Sequence, residues 1–157
     1  MSKHQLFSAE EWKVLQFAVL DVFMMVSQID GASGMDETES NAFMDLLENP
    51  SSTENFLVRE LLASIAPTWK HVLDAYQSQY RFDPAYFERA FSRVKALVDS
   101  KLSKSEAQDF KVALALHLGG VIANASGSGA AGMGRVSDIE LKAMTMIAKW
   151  LGTDMTQ

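Results

Sequence analysis

Apolar positions concentrate in two runs of this chain, at 14–29 and at 112–125, and each run is followed by a loop and a polar helix start. Within the first run almost every residue from Val14 to Val26 is apolar, so a helix built from it has no polar face. The second run has the same character. A helix that is apolar on all sides is typical of the centre of a core. The pattern therefore predicts two central helices.

The two runs belong to a repeated unit. The first ends in Asp-Gly at 30–31 and leads to an acidic segment at 36–39, whereas the second ends in Ser-Gly at 126–127 and leads through a longer loop to 137–140. Both following segments have the form of a helix N-terminus whose cap and third residue bond to each other. We therefore expect two helix–loop–helix units related by a pseudo-two-fold axis, with the other helices packed around them.

Further helix starts are marked by capping boxes at 8–11 and 103–106 and by prolines at 67 and 84, because proline is well tolerated in a first helical turn. No segment alternates between apolar and polar residues over a strand's length, so no strand is expected. The sequence predicts an all-α fold of about seven helices, at 9–29, 37–49, 53–65, 67–80, 84–101, 104–125 and 138–151.

Length and composition are those of an ordinary globular domain. The chain has 157 residues, of which 48% are hydrophobic and 22% charged, and we expect one domain spanning 1–157. The absence of cysteine excludes disulfides and thiolate chemistry. The N-terminal residues are polar, and both apolar runs are shorter than the ~20 residues of a membrane span. These features predict a protein without a transmembrane segment, located in the cytoplasm.

Charge is distributed unevenly along the chain. Residues 1–62 contain 11 acidic and 3 basic side chains, whereas residues 63–157 contain 9 acidic and 11 basic ones. General affinity for nucleic acid requires a basic surface, so a nucleic-acid partner is not expected. The acidic half is compatible with a cation or with a protein partner that carries basic residues. The alternative interpretation is a solvated acidic surface that keeps the protein soluble.

Asp21 and His117 are polar residues at equivalent places, halfway along the two apolar runs. A buried carboxylate is costly unless a donor or a cation relieves it. We therefore predict that Asp21 and His117 form a buried polar pair, the alternative being that each is satisfied separately. An enzyme using these two residues is not expected, because general acid–base catalysis needs an accessible pocket.

Aromatic residues gather in the middle of the chain, with Trp69, Tyr76, Tyr80 and Tyr86 among them. Such a group could stack a nucleic-acid base. The favoured interpretation is that these rings belong to the core, with their polar tips near the surface.

Asp30, Asp36 and Glu39 gather around the first interhelix loop, next to Gly31. Carboxylate oxygens on such a loop are the ligands that Ca²⁺ or Mg²⁺ prefers. The spacing is not that of an EF-hand, because Met35 would take the place of the required glycine. We therefore predict a divalent-cation site without a standard motif. The alternative is that these acids only cap the next helix and favour its positive end.

The stretch VSQIDGASGMDETESN at 26–41, together with the apolar helix before it and AFMDLLE after it, resembles the TerB-like family. That family includes the tellurite-resistance TerB proteins and the N-terminal domain of a membrane-anchored DnaJ-type co-chaperone. The resemblance implies an all-helical fold with two pseudo-symmetric units, a non-enzymatic stress-associated role and metal binding by Asp30, Asp36 and Glu39. In the second unit Glu140 matches, but Ser126 replaces the turn aspartate.

Together, these observations lead us to expect a non-enzymatic, cytoplasmic helical binding module whose acidic turn takes a divalent cation and which acts with a protein partner. The alternative is a helical protein-interaction module without a bound ion, such as a homodimer with a Met-rich or aromatic contact surface. The nine methionines are compatible with that alternative, because methionine adapts to irregular apolar contacts.

Overall fold

The computed structural model describes residues 3–28, 44–49, 55–79, 84–120 and 138–153. Its described residues form helices and no strand, so the predicted all-α fold of about seven helices is confirmed. The helices are α1 (Ala9–Gln28), α2 (helical at 44–48), α3 (Phe56–Ile65), α4 (Trp69–Gln79), α5 (Pro84–Lys101), α6 (Lys104–Val112, continued to residue 120) and α7 (Asp138–Leu151).

Helix starts follow the local signals in the sequence. In the capping box before α6, the side chain of Ser103 accepts from the amide of Glu106 at 3.1 Å, and the Glu106 carboxylate accepts from the amide of Ser103. The same reciprocal pair joins Ser8 and Glu11 at the start of α1. Each pair satisfies two of the amide groups that a helix N-terminus leaves without an intrahelical partner. These two predicted starts are confirmed.

Helix α1 lies at the centre of the core. It contacts α3, α4, α5, α7 and the continuation of α6. All six residues from Ala18 to Phe23 are buried, and six consecutive helical residues cover every face of the helix. The predicted central position of the first apolar helix therefore agrees with the structure, and any polar group in this stretch must find its partners inside the protein.

Helix α6 is less enclosed than the sequence indicates. After Val112 it continues as a π-helix over Ala113–Leu118, which contacts α1 and α7. Ala113, Leu114 and Leu118 are buried, but His117 is exposed. One face of this helix is therefore open to solvent, unlike the corresponding part of α1. Over residues 112–120 the second apolar run is therefore only partly enclosed, and its remaining residues, 121–125, lie outside the described part of the chain.

One hydrophobic core cluster joins the described helices, with Leu15, Phe91, Phe110, Leu114 and Ile147 among its fully buried members. The two loops of the repeated unit lie in 29–43 and 121–137, outside the described residues, so the pseudo-two-fold relation between the units stays a prediction. Within the part of the chain described, no helix has both the length and the hydropathy needed to span a bilayer.

Candidate functional site

The buried carboxyl group of Asp21 is the centre of the candidate site. Asp21 lies in the enclosed part of α1 and is only 2% exposed. Its Oδ1 accepts a hydrogen bond from the hydroxyl of Tyr76 on α4 at 2.6 Å and another from the hydroxyl of Tyr86 on α5 at 3.1 Å. Three helices therefore meet at one carboxylate oxygen.

Ring packing fixes the two tyrosine hydroxyls. Phe17 lies one helical turn before Asp21, and its ring meets that of Tyr76 edge to face, with centroids 5.4 Å apart. Tyr86 packs edge to face on Phe87 at 5.3 Å. Tyr76 is buried and Tyr86 is half-buried. Contacts with neighbouring aromatic rings therefore hold both hydroxyl donors in position beside Asp21.

Burial raises the pKa of Asp21 from its ordinary value of 3.8 to about 6, although the hydrogen bonds from Tyr76 and Tyr86 act to lower it. Removal of the carboxylate from water is the larger effect, because it disfavours the charged form. Among the described residues, no lysine, arginine or histidine lies within ion-pair distance of Asp21. At neutral pH the core therefore contains a carboxylate that is hydrogen-bonded but has no described cationic partner.

Beside this carboxyl group lies a cavity of about 350 Å³ between α1 and α5. Asp21 and Tyr86 contribute its polar groups, while Arg89 and Arg93 line it from α5 and are exposed to solvent. The remaining lining residues are apolar, namely Val14, Phe17 and Ala90. One cavity is thus lined by a buried carboxyl group, by two cationic side chains and by apolar side chains. We call it the Asp21 cavity.

The predicted buried polar pair of Asp21 and His117 is wrong. Asp21 takes its hydrogen bonds from Tyr76 and Tyr86, and His117 is exposed. His117 instead lines a second cavity, of about 590 Å³, between the start of α3 and α6. The pairing was inferred from equivalent sequence positions, but His117 lies in the π-helical segment, whose wider turns alter the direction of its side chains relative to an α-helix.

The predicted metal ligands Asp30, Asp36 and Glu39 lie outside the described residues. Over the ranges that are described, no three histidine, aspartate or glutamate side chains form a group that could hold a metal ion. The metal site thus stays a prediction from the sequence.

A second charged cluster lies on α5 and α6. Lys111 is buried, and its Nζ donates to Oδ1 of Asp99 at 2.7 Å, while Nζ of Lys95 lies 3.0 Å from Oδ2. Burial acts to raise the pKa of Asp99, but the hydrogen bonds and charges of Lys111 and Lys95 outweigh it, and the pKa is lowered. The Asp99 carboxylate is bonded to both ammonium groups, so each charge in the cluster has a partner of opposite sign. We therefore interpret this cluster as structural.

Comparisons with protein-family models, with curated proteins and with solved structures found no match. The functional proposals therefore depend on the residues and geometry of this chain and on the resemblance seen in its sequence.

The sequence did not indicate that Tyr76 and Tyr86 serve Asp21, or that Arg89 and Arg93 accompany them. One local signal was available for the second group. Tyr86, Arg89 and Arg93 are spaced by three and four residues, which places them on one face of α5. Such a face carries an aromatic hydroxyl and two cations, but nothing local shows that it faces Asp21.

Proposed function

We propose that this chain is a non-enzymatic, cytoplasmic helical binding module of the TerB-like kind, which binds a divalent cation at its first interhelix turn and acts with a protein partner in a stress response. The observation that supports it best is the position of α1. This buried central helix ends at Gln28, two residues before Asp30. A cation held near Asp30 would therefore be coupled directly to the core, because α1 contacts most of the other helices.

Calorimetric titration tests the cation part of this proposal. Purified full-length protein is titrated with Ca²⁺, Mg²⁺, Mn²⁺ and Zn²⁺, and its melting temperature is followed in parallel, because a ligand that binds only the folded state stabilises it. We expect heat and a rise in melting temperature with Ca²⁺ or Mg²⁺. Asp30→Asn and Asp36→Asn should remove both effects. Asp74→Asn, which removes an exposed carboxylate from α4, is the matched control. Absence of heat and of stabilisation at millimolar metal would refute the cation site.

A stress role is tested in cells. Expression of the chain in a tellurite-sensitive bacterium should raise the tellurite concentration that permits growth, and Asp30→Asn should abolish that gain. Equal growth with the wild-type chain and with an empty vector would contradict the tellurite-resistance part of the proposal.

A second candidate function is self-association without an ion, and exposed apolar side chains favour it. Leu6, Phe56 and Leu141 are 42%, 50% and 46% exposed, and Phe56 also borders the 590 Å³ cavity. An exposed apolar side chain is removed from water when a second copy covers it, which would favour association. Sedimentation over a wide range of protein concentration should then show a dimer that Phe56→Ser weakens and that a chelator leaves unchanged. A monomer at all concentrations would eliminate this candidate.

A further inference from the structure

The Asp21 cavity has charged groups at both ends, and neither end has a partner of opposite charge among the described residues. At its buried end, both described hydrogen bonds of Asp21 go to Oδ1, and Oδ2 accepts none from any residue that the structure describes. At its exposed end, Arg89 and Arg93 form no ion pair with a described carboxylate. A carboxylate oxygen buried without a donor costs free energy, and a donor that enters the cavity would recover it.

The charges of the cavity limit what can occupy it. A simple anion would be attracted to Arg89 and Arg93 but would bring a second negative charge toward Asp21. A simple cation would pair with Asp21 but would leave Arg89 and Arg93 without an anion. A neutral ligand would leave the charge on Asp21 uncompensated. Only a molecule with a cationic donor at one end and an anionic group at the other satisfies both ends.

We propose that the Asp21 cavity binds a small aliphatic zwitterion, with its ammonium group on Asp21 and its anionic group on Arg89 and Arg93. Arginine suits the anionic end, because its guanidinium group bonds to carboxylate or phosphate through two parallel donors. This site uses none of the residues proposed for the cation, so it can exist whether or not the first interhelix turn binds metal.

The walls and the volume define the body of the ligand. Val14, Phe17 and Ala90 offer apolar contact between the two charged ends, which suits an unbranched methylene chain. A volume of about 350 Å³ is at the lower end of the range for small-molecule sites. The matching chemical class is therefore a short ω-amino acid, or the corresponding amino-alkyl phosphate, rather than a nucleotide or a peptide.

The test is a binding series on the full-length protein at neutral pH, followed by NMR chemical shifts and by calorimetry. The probes are γ-aminobutyrate, δ-aminovalerate and ε-aminocaproate, with n-pentylamine and valerate as compounds that carry only one of the two charges. At least one zwitterion should bind about tenfold or more tightly than either singly charged compound, because each charged end contributes a charge-assisted hydrogen bond. Shifts should concentrate at residues 14–21 and 86–93.

Variants locate the site. Asp21→Asn should weaken binding of the best zwitterion about tenfold or more, as should the double variant Arg89→Gln with Arg93→Gln. Because both arginines are exposed, the double variant should keep the wild-type fold. Lys142→Gln, which removes an exposed positive charge from α7, should bind like the wild-type protein.

Three results would overturn the inference. One is the absence of shifts and heat with every zwitterion at tens of millimolar. Another is binding of n-pentylamine or valerate as tight as that of the best zwitterion, since one end of the cavity would then suffice. The third is unchanged zwitterion affinity in the folded Arg89→Gln, Arg93→Gln double variant.

Discussion

Replacement of Asp21 by asparagine should stabilise the folded protein at neutral pH, although it removes a buried hydrogen-bonded charge. Asparagine has nearly the shape of a protonated aspartate, and its carbonyl oxygen can still accept from the hydroxyls of Tyr76 and Tyr86. It cannot ionise, so the cost of a buried charge disappears. The pH dependence of its stability relative to the wild type therefore isolates the free energy of ionising this one group inside the core.

The magnitude follows from the two pKa values. Burial raises the pKa of Asp21 to about 6 in the folded protein, against an ordinary value of 3.8. Each unit of difference corresponds to ~1.36 kcal/mol, so the ionised form destabilises the folded state by about 3 kcal/mol relative to the protonated form. For a chain of 157 residues, about 3 kcal/mol corresponds to a change in melting temperature of about 6–12 °C.

The direction with pH follows from proton linkage. Because the folded state binds the Asp21 proton more tightly than the unfolded state, the favourable contribution is complete below about pH 3.8 and is lost as pH rises through about 6. The free energy of unfolding of Asp21→Asn minus that of the wild type should therefore increase by about 3 kcal/mol across this window and stay constant above it.

Urea unfolding followed by circular dichroism, from about pH 4 to about pH 8, measures this difference. Glu11 and Asp99 have lowered pKa values, and their contributions change in the opposite direction with pH, but they occur in both proteins and cancel in the difference. Asp74→Asn, at an exposed carboxylate, should show a difference close to zero throughout. A pH-independent difference for Asp21→Asn would refute the conclusion that this carboxylate is buried without sufficient compensation.

Four other substitutions test structural interpretations by urea unfolding. Asp99→Asn should destabilise the protein by about 1–3 kcal/mol, because it leaves the buried Lys111 ammonium group without its anion. Lys111→Met should destabilise the protein less, because it leaves no buried charge. A larger loss of stability in Lys111→Met than in Asp99→Asn would contradict this account. Ser103→Ala should cost about 1 kcal/mol through loss of the α6 cap, and no loss would mean that solvent replaces the cap fully. Gly152→Ala should destabilise by about 1 kcal/mol, because φ is 78° there, a conformation that L side chains rarely adopt, and the new Cβ would displace the end of the Lys95 side chain. A neutral effect would show that the backbone at this position readjusts.

The boundaries of several helices could be predicted from the sequence, because they depend on residues that are close together along the chain. Pro84 and Asp138 begin helices where the sequence predicts them, and α5 and α7 end at the predicted residues. Caps act over three or four residues, so their chemistry can be read locally. The junction of α3 and α4 was less predictable, since a 3₁₀ turn at Ala66–Thr68 joins them directly.

Only part of the candidate site could be predicted from the sequence. Asp21 stood out as a carboxylate within an apolar helix, and its need for donors was predicted. Its actual donors are separated from it by 55 and 65 positions, on helices whose packing against α1 no local pattern specifies. His117 was an incorrect choice because equivalence along the sequence does not fix the direction of a side chain once a π-helical turn intervenes.

The sequence by itself determined that this protein is all-helical, that its first apolar helix lies in the core and that Asp21 within it requires polar partners. Hydrophobic periodicity and capping settle such matters because they act within one or two helical turns. Tertiary structure alone decided that Tyr76 and Tyr86 supply those partners and that Arg89 and Arg93 share a cavity with Asp21. The reason is physical, since a contact between distant helices depends on how their faces pack together, and that arrangement is set by the whole core rather than by any one segment.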